Sequence, residues 1–300
     1  MAVIILNRKP KPSHKKQIKA DPIKDPKKIE YDARRTLKAI SAPVKKDIMA
    51  VIESMREKNL DAATTGRSLD NIKRRYEAQF DMIAPVISER WIGSINKYNR
   101  EETMETLRRA LGIDVGTIIS EDMKEDLDIM MYEAAMYIKT IPSELVLKVA
   151  DRVLQHYKGI PMPENRTLAR QIKEEFKISD NKAKVIARDQ TAKMNCSLAA
   201  LRQKEVGIDK YIWETSGDRR VVGTPGGLYT KINDKHKNHY AMSGLVCRWD
   251  DPTVYSDDKG KTWKKRTAEM PHNHPGDDIQ CRCRAAPYID IAELKVKWAV

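Results

Sequence analysis

Long apolar runs are missing from this chain of 300 residues. Nowhere does it offer the ~20 consecutive apolar residues of a membrane helix, so no membrane span is expected. The opening MAVIILNRKP places five apolar residues after Met1 before the charges begin, too few for a secretory core. Cysteine is scarce. Four in the whole chain exclude a disulfide scaffold, and without an export signal they are expected to stay reduced. Neither G-x-x-x-x-G-K-[ST] nor G-x-G-x-x-G occurs, so nucleotide binding of those kinds is unsupported. Tandem repeats are also absent. What remains is a soluble intracellular chain with a net charge of +13, for which an anionic partner is the first implication.

That charge is uneven. Residues 1–30 carry +6 of it, on Arg8, Lys9, Lys11, Lys15, Lys16, Lys19, Lys24, Lys27 and Lys28 against Asp21, Asp25 and Glu30. The same stretch holds Pro10, Pro12, Pro22 and Pro26, which oppose a helix and a buried core. A flexible basic arm over 1–30 is expected. Arg8, Lys9, Lys11, Lys15, Lys16 and Lys19 are its candidate phosphate contacts; alternatively the arm threads along a partner protein and orders there.

From Tyr31 onward apolar residues recur at helical spacing. Val44, Ile48, Val51 and Met55 form one stripe. Leu69, Ile72, Tyr76, Phe80, Ile83, Ile87, Trp91, Ile95 and Tyr98 form another, with Pro85 expected to kink or split it. A further helix is expected after Ser120, one from Ser143 to Gly159, and one capped by Ser179 and ended by Gly207. These stripes read as core faces.

At Gly207 the material changes. From there on lie eight of the thirteen glycines, four of the five tryptophans, four of the six histidines and three of the four cysteines. The fold class expected is therefore α+β: a mainly helical N-terminal and middle region, then a small loop-rich α+β C-terminal domain. The boundaries read from the sequence are an arm over 1–30, a helical domain over 31–160 and a C-terminal domain over 161–300. Within the last, Ser256-Asp257-Asp258-Lys259-Gly260-Lys261-Thr262-Trp263 matches the Asp-box pattern S-x-D-x-G-x-T-W. One copy predicts a hairpin and no glycosidase.

His236, His239, Cys247, His272, His274, Cys281 and Cys283 fall within 48 residues. Zinc takes four nitrogen or sulfur ligands in a tetrahedron, and His239, His274, Cys281 and Cys283 are the candidate set for a structural zinc. Alternatively, Cys281 and Cys283 are small packing residues and the histidines bond backbone. A Cys–His nucleophile helped by Arg282 is a third reading. Asn238-His239 and His272-Asn273-His274 also permit an HNH-like, metal-dependent nuclease or toxin-like enzyme using His239, His274 and Asp277 or Asp278.

Read in order, the last third forms a longer pattern. Ala187-Arg188-Asp189-Gln190-Thr191 stands on a helix. Trp213-x-Thr215-x-x-Asp218-x-Arg220-Val221 follows, then His239 five residues before Gly244, then Pro275 leading to Cys281-Arg282-Cys283. This ordered set resembles the phage Mu F-like family of minor head, or head morphogenesis, proteins, over roughly residues 160–290. Residues 222–238 intervene where the family passes quickly to its histidine, which leaves His236 outside the pattern. The resemblance implies a non-enzymatic virion protein inside the capsid at the portal vertex, made in the host cytoplasm and assisting head assembly and DNA packaging or ejection. Its implied partners are the portal protein, a capsid or scaffold protein, and double-stranded DNA contacted nonspecifically through phosphates.

Overall fold

A computed structural model describes residues 4–6, 17–112, 123–160, 167–291 and 296–298. Four long helices dominate: α1 (Lys27–Glu57), α2 (Ala62–Leu111), α3 (Lys124–Tyr157) and α4 (Leu168–Glu205). Eight short strands are described: β1 (Ile4–Leu6), β2 (Gln17–Lys19), β3 (Lys210–Glu214), β4 (Val246–Arg248), β5 (Val254–Tyr255), β6 (Lys264–Lys265), β7 (Arg284–Asp290) and β8 (Val296–Trp298). The α+β class read from the sequence holds. Among the described residues, no helix is long and apolar enough to cross a membrane.

The chain forms two compact units, one of residues 27–93 and 124–190, the other of residues 1–26, 94–123 and 191–300. In the first, the apolar stripes become a helical core: Leu37, Val44 and Ile48 from α1, Leu69 and Phe80 from α2, Ile138 and Val149 from α3, and Ile172 and Ala183 from α4 are all buried. Polar ties close it. Tyr76 Oη donates to Asp47 Oδ2 at 2.6 Å, Arg152 Nε donates to Glu175 Oε1 at 3.0 Å, and Lys45 pairs with Asp180.

Three expected divisions between helices do not occur. Pro85 lies inside α2, Pro142 and Ser143 lie inside α3, and Ser179 lies inside α4. An interior proline costs a helix about 3 kcal/mol. Around Pro142, however, Ile138, Ile141, Leu145, Val146 and Val149 are buried on one face, each worth about 1.5–3 kcal/mol. The continuous apolar face outweighs the local penalty. Ser120 lies outside the described residues. Gly207 does end its helix: at φ 81° it is left-handed, with Gly207 N–H on Lys204 O (3.0 Å) and Ile208 N–H on Gln203 O (2.8 Å), the paired bonds of a Schellman close.

The second unit is built on an antiparallel sheet ordered β2–β7–β3–β4. On one face Tyr211 and Trp213 pack with Met242, Cys247, Trp249 and Ala285, with Cys196 and Ala200 of α4 laid against them. On the other, Ile212, Val246, Ala286 and Tyr288 take the Trp263 ring.

The N-terminal segment departs from a flexible arm in its described part. Ile18 of β2 pairs with Ile289 of β7, Ala20 N–H donates to Pro287 O at 2.9 Å, and Ala20 and Ile23 are buried. Arg284 grips Asp25 in a two-pronged pair. The prolines permit this because an edge strand needs its N–H groups on one side only, and Pro22 and Pro26 fall between β2 and α1. Lys19 pairs with Glu214. Arg8, Lys9, Lys11, Lys15 and Lys16 lie outside the described residues.

Candidate functional site

The Asp-box becomes the hairpin its pattern predicts. Asp258 accepts from Ser256 Oγ (2.7 Å), Lys261 N (3.0 Å), Thr262 N (2.9 Å) and Thr262 Oγ1 (2.6 Å), while Gly260 at φ 84° turns the chain between β5 and β6. Its role is to seat Trp263 on the sheet.

Trp213, His239, Cys281 and Cys283 of the signature gather on the opposite face. Strand alternation sends Tyr211 and Trp213 into the same cluster. Trp213 N–H donates to Leu245 O at 2.9 Å, and its own carbonyl accepts from Gly244 N at 2.8 Å. Gly244, at φ 83°, redirects the chain after the short 3-10 turn Tyr240–Met242 that follows His239. The spacing H-x₄-G is thus one turn and one left-handed exit. It sets the His239 ring edge-on to Trp213, with centroids 5.8 Å apart.

The chain then approaches β7 in extended form, where residues two apart share a face. Cys281 and Cys283 therefore point together at His239, whose Nδ1 lies 3.5 Å from the Cys281 sulfur and 3.4 Å from that of Cys283. Arg282, between them, faces away and makes a two-pronged pair with Asp218. Asp218 also accepts from Arg220 N at 2.9 Å. Pro275 and Gly276 form the turn that leads to Asp278, closed by Asp277 N–H on His274 O at 3.3 Å. The Gly276 N–H points at the Cys281 sulfur from 3.4 Å.

Electrostatics follow from this packing. Burial works against a charge on His239, yet hydrogen bonds to Asp278 and Cys281 lift its pKa to about 9. The Cys283 thiol, hydrogen-bonded to Cys281, holds Cys281 well below a free thiol, and His239 adds to the effect. Cys283 is raised in return. His239 Nε2 meets Asp278 Oδ2 at 2.8 Å, and Asn273 Nδ2 donates to the other Asp278 oxygen at 2.6 Å. The ligand atoms of His239, Cys281 and Cys283 all lie within 4.8 Å of one another.

His274 is not in that group. Its Nδ1 meets Tyr211 Oη at 3.0 Å, its ring lies on Trp249, and burial, with Lys204 and Arg266 nearby, lowers its pKa to about 4. Asp277 accepts from His274 N at 2.8 Å. His236 is exposed at a turn with Asn233, lining the open cleft that Ser216, Arg220, Asp278 and the cluster also line. On α4, Arg188 is half-buried and Thr191 buried.

Sequence reasoning missed one support and read a second in a different role. Arg266 is buried, donates to Pro271 O (2.6 Å) and Asn273 O (2.8 Å), and sets its guanidinium 5.3 Å from the Trp213 ring centroid. Asn273 positions Asp278. Arg266 does not differ in the sequence from an ordinary solvated arginine, and Asn273, read there within His272-Asn273-His274, instead orients a carboxylate.

The Arg282–Asp218 pair makes a pH prediction. Hydrogen bonds from Arg282 hold the Asp218 carboxyl far below its ordinary 3.8, so the pair stabilises above that value and is lost as pH falls through the folded one. Wild type should exceed Asp218→Asn in urea midpoint at pH 6, by on the order of 1 kcal/mol because the carboxylate is partly exposed. At pH 3 the gap should narrow. An unchanged or wider gap would contradict the assignment.

Residues 163–286 match the family model described as Phage Mu protein F like protein. The chain is also similar to a protein of Haemophilus influenzae (strain ATCC 51907 / DSM 11121 / KW20 / Rd) described as an uncharacterized protein, 26% identical over 288 residues. That alignment covers 93% of this chain and 57% of the relative, so the chain spans little more than half of that protein's length. No solved structure matches it. Residues 163–286 are thus a phage Mu F-like region, as the ordered motifs implied.

Proposed function

We propose that the chain is a minor head protein of a tailed phage, bound at the portal inside the capsid, where it assists head assembly and DNA packaging or ejection. The observation carrying this reading is that the Mu F-like motif residues are engaged in internal bonds. Trp213 is fully buried, Arg282 is bound to Asp218, and His239 is bound to Asp278 and faces both cysteines. Such residues hold a domain together and need no substrate. The chain would reach the virion from the host cytoplasm, where assembly takes place.

Portal, capsid or scaffold contact would fall to the helical unit. On α3, Ile129, Tyr132 and Met136 step by three and four yet are exposed, an apolar stripe suited to a partner protein. Full-length protein should capture the portal protein, and Ile129→Glu with Tyr132→Glu should abolish capture. If the chain captures no head protein and is missing from purified virions, the reading is wrong.

DNA contact would come from Arg8, Lys9, Lys11, Lys15 and Lys16, with Lys19 already paired to Glu214. Five phosphate contacts would cost roughly a few hundredfold in affinity between about 50 and 200 mM salt. Replacing those five by glutamine should remove most of that slope. Salt-insensitive binding would sink this part. Incubation of plasmid with the protein in Mg²⁺, Mn²⁺ or Zn²⁺ tests the enzymatic alternative: intact plasmid is expected, and nicking lost in His239→Ala would instead favour a nuclease.

A further inference from the structure

We propose that His239, Cys281 and Cys283 bind one thiophilic divalent cation of the zinc class, with the fourth coordination position facing the open cleft. Geometry carries this. Bond lengths of ~2.05 Å to nitrogen and ~2.3 Å to sulfur at a tetrahedral zinc set nitrogen and sulfur about 3.5 Å apart. His239 Nδ1 stands 3.5 and 3.4 Å from the two sulfurs, so both nitrogen–sulfur edges of the tetrahedron are already at that length, and all three ligand atoms lie within 4.8 Å of one another.

The surroundings supply what a metal site needs beyond its ligands. A ligating histidine usually donates its other ring nitrogen to a carboxylate, which fixes its tautomer and orientation. His239 Nε2 does so to Asp278, itself held by Asn273. That commitment turns the Nδ1 lone pair toward the sulfurs. Charge also balances: a divalent cation with two thiolates and a neutral imidazole is neutral overall, so burying the assembly incurs little of the penalty of an isolated ion. Binding releases to solvent the protons held by His239 Nδ1 and by the two sulfurs. Arg282, between the two cysteines, faces Asp218 and stays out of the coordination sphere.

The three ligands border the cleft lined by Ser216, Arg220 and His236, from which solvent supplies the fourth. The proposal stands apart from the head-protein reading, since a virion protein can hold a structural metal or none.

Full-length protein, expressed with zinc and purified without chelator, should contain about one equivalent by elemental analysis. After exchange with cobalt, it should show the intense visible bands of a four-coordinate ion and a near-ultraviolet sulfur-to-cobalt band. Cys281→Ser and Cys283→Ser should each fall below about a tenth of an equivalent, and Cys247→Ser, in the same core but outside the triad, should keep its metal. Asp278→Asn should weaken affinity roughly 10- to 100-fold. Less than a tenth of an equivalent in the unmutated chain, or a cobalt spectrum without the sulfur band, would overturn the proposal. The cobalt spectrum is read on the unmutated chain, so it decides even if a variant fails to fold.

Discussion

Trp213→Ala should be among the most damaging single substitutions in this chain, costing about 3–5 kcal/mol. The side chain is fully buried at the centre of the cluster that also holds Tyr211, Met242, Cys247, Cys281, Cys283 and Ala285. Truncation removes a large apolar surface and leaves a cavity. It also removes the wall against which His239 stands edge-on and the ring beneath the Arg266 guanidinium. Arg266 would then keep its bonds to Pro271 and Asn273 while losing its apolar cover, adding to the cost of burying that charge. Trp213→Phe keeps an aromatic face in place and should recover part of the loss. Urea unfolding followed by circular dichroism measures both. A cost below about 1 kcal/mol for the alanine variant would show that the ring does not anchor this core.

Much of this architecture is legible in the sequence wherever one short-range rule governs. The stripe from Leu69 to Tyr98 forecasts the buried face of α2, because 3.6-residue periodicity and burial are the same fact seen twice. Gly207 and the Asp-box are equally readable, each being a turn whose conformation its own residues demand. The errors share a physical origin. Ser143 and Ser179 have the chemistry of helix starts, and Pro142 that of a stop, but local preferences of a few kcal/mol yield to long apolar faces already committed to the core. Residues 17–30 mislead in the same way. Charge and proline speak against burial, yet an edge strand needs only a short run such as Gln17–Lys19 and a partner strand 270 residues away.

The candidate site is legible in part for the same reason. C-x-C places both sulfurs on one side of an extended chain, and that is a local rule. Which histidine faces them is a matter of tertiary path. His239 is turned inward by its 3-10 turn and Gly244, whereas His274, nearer in sequence, is held by Tyr211 and Trp249. Long-range polar pairs such as Asp25 with Arg284 leave no periodic trace at all.

Arg202 is the strongest instance of such a hidden support, and its removal should rival that of Trp213. It lies on α4, 1% exposed, and its guanidinium donates to the side-chain oxygens of Asn99 and Asn96 and, at 3.3 Å, to Asn96 O on α2. Asn99 in turn donates to Asn195 O at 2.8 Å and Asn195 Oδ1 at 2.9 Å, and Asn195 to Lys24 O at 3.1 Å. One buried cation therefore orients a chain of amides joining α2, α4 and the segment before α1. Burial, with Arg100 nearby, lowers the Arg202 pKa to about 10, a sign of how far its charge is removed from water. Arg202→Ala should cost about 3–5 kcal/mol, since it opens a cavity and leaves the Asn99 oxygen only the long bond from Thr103 Oγ1 at 3.5 Å. Arg202→Met fills the space without the charge and should cost about 1–3 kcal/mol, the penalty for unsatisfied buried acceptors. Arg202→Lys should not rescue, because one ammonium keeps the buried charge but cannot reproduce the planar fork that reaches two asparagines. Urea midpoints should therefore rank the methionine variant above the alanine one, with lysine well below wild type. A lysine variant as stable as wild type would show that the charge matters here and the fork does not.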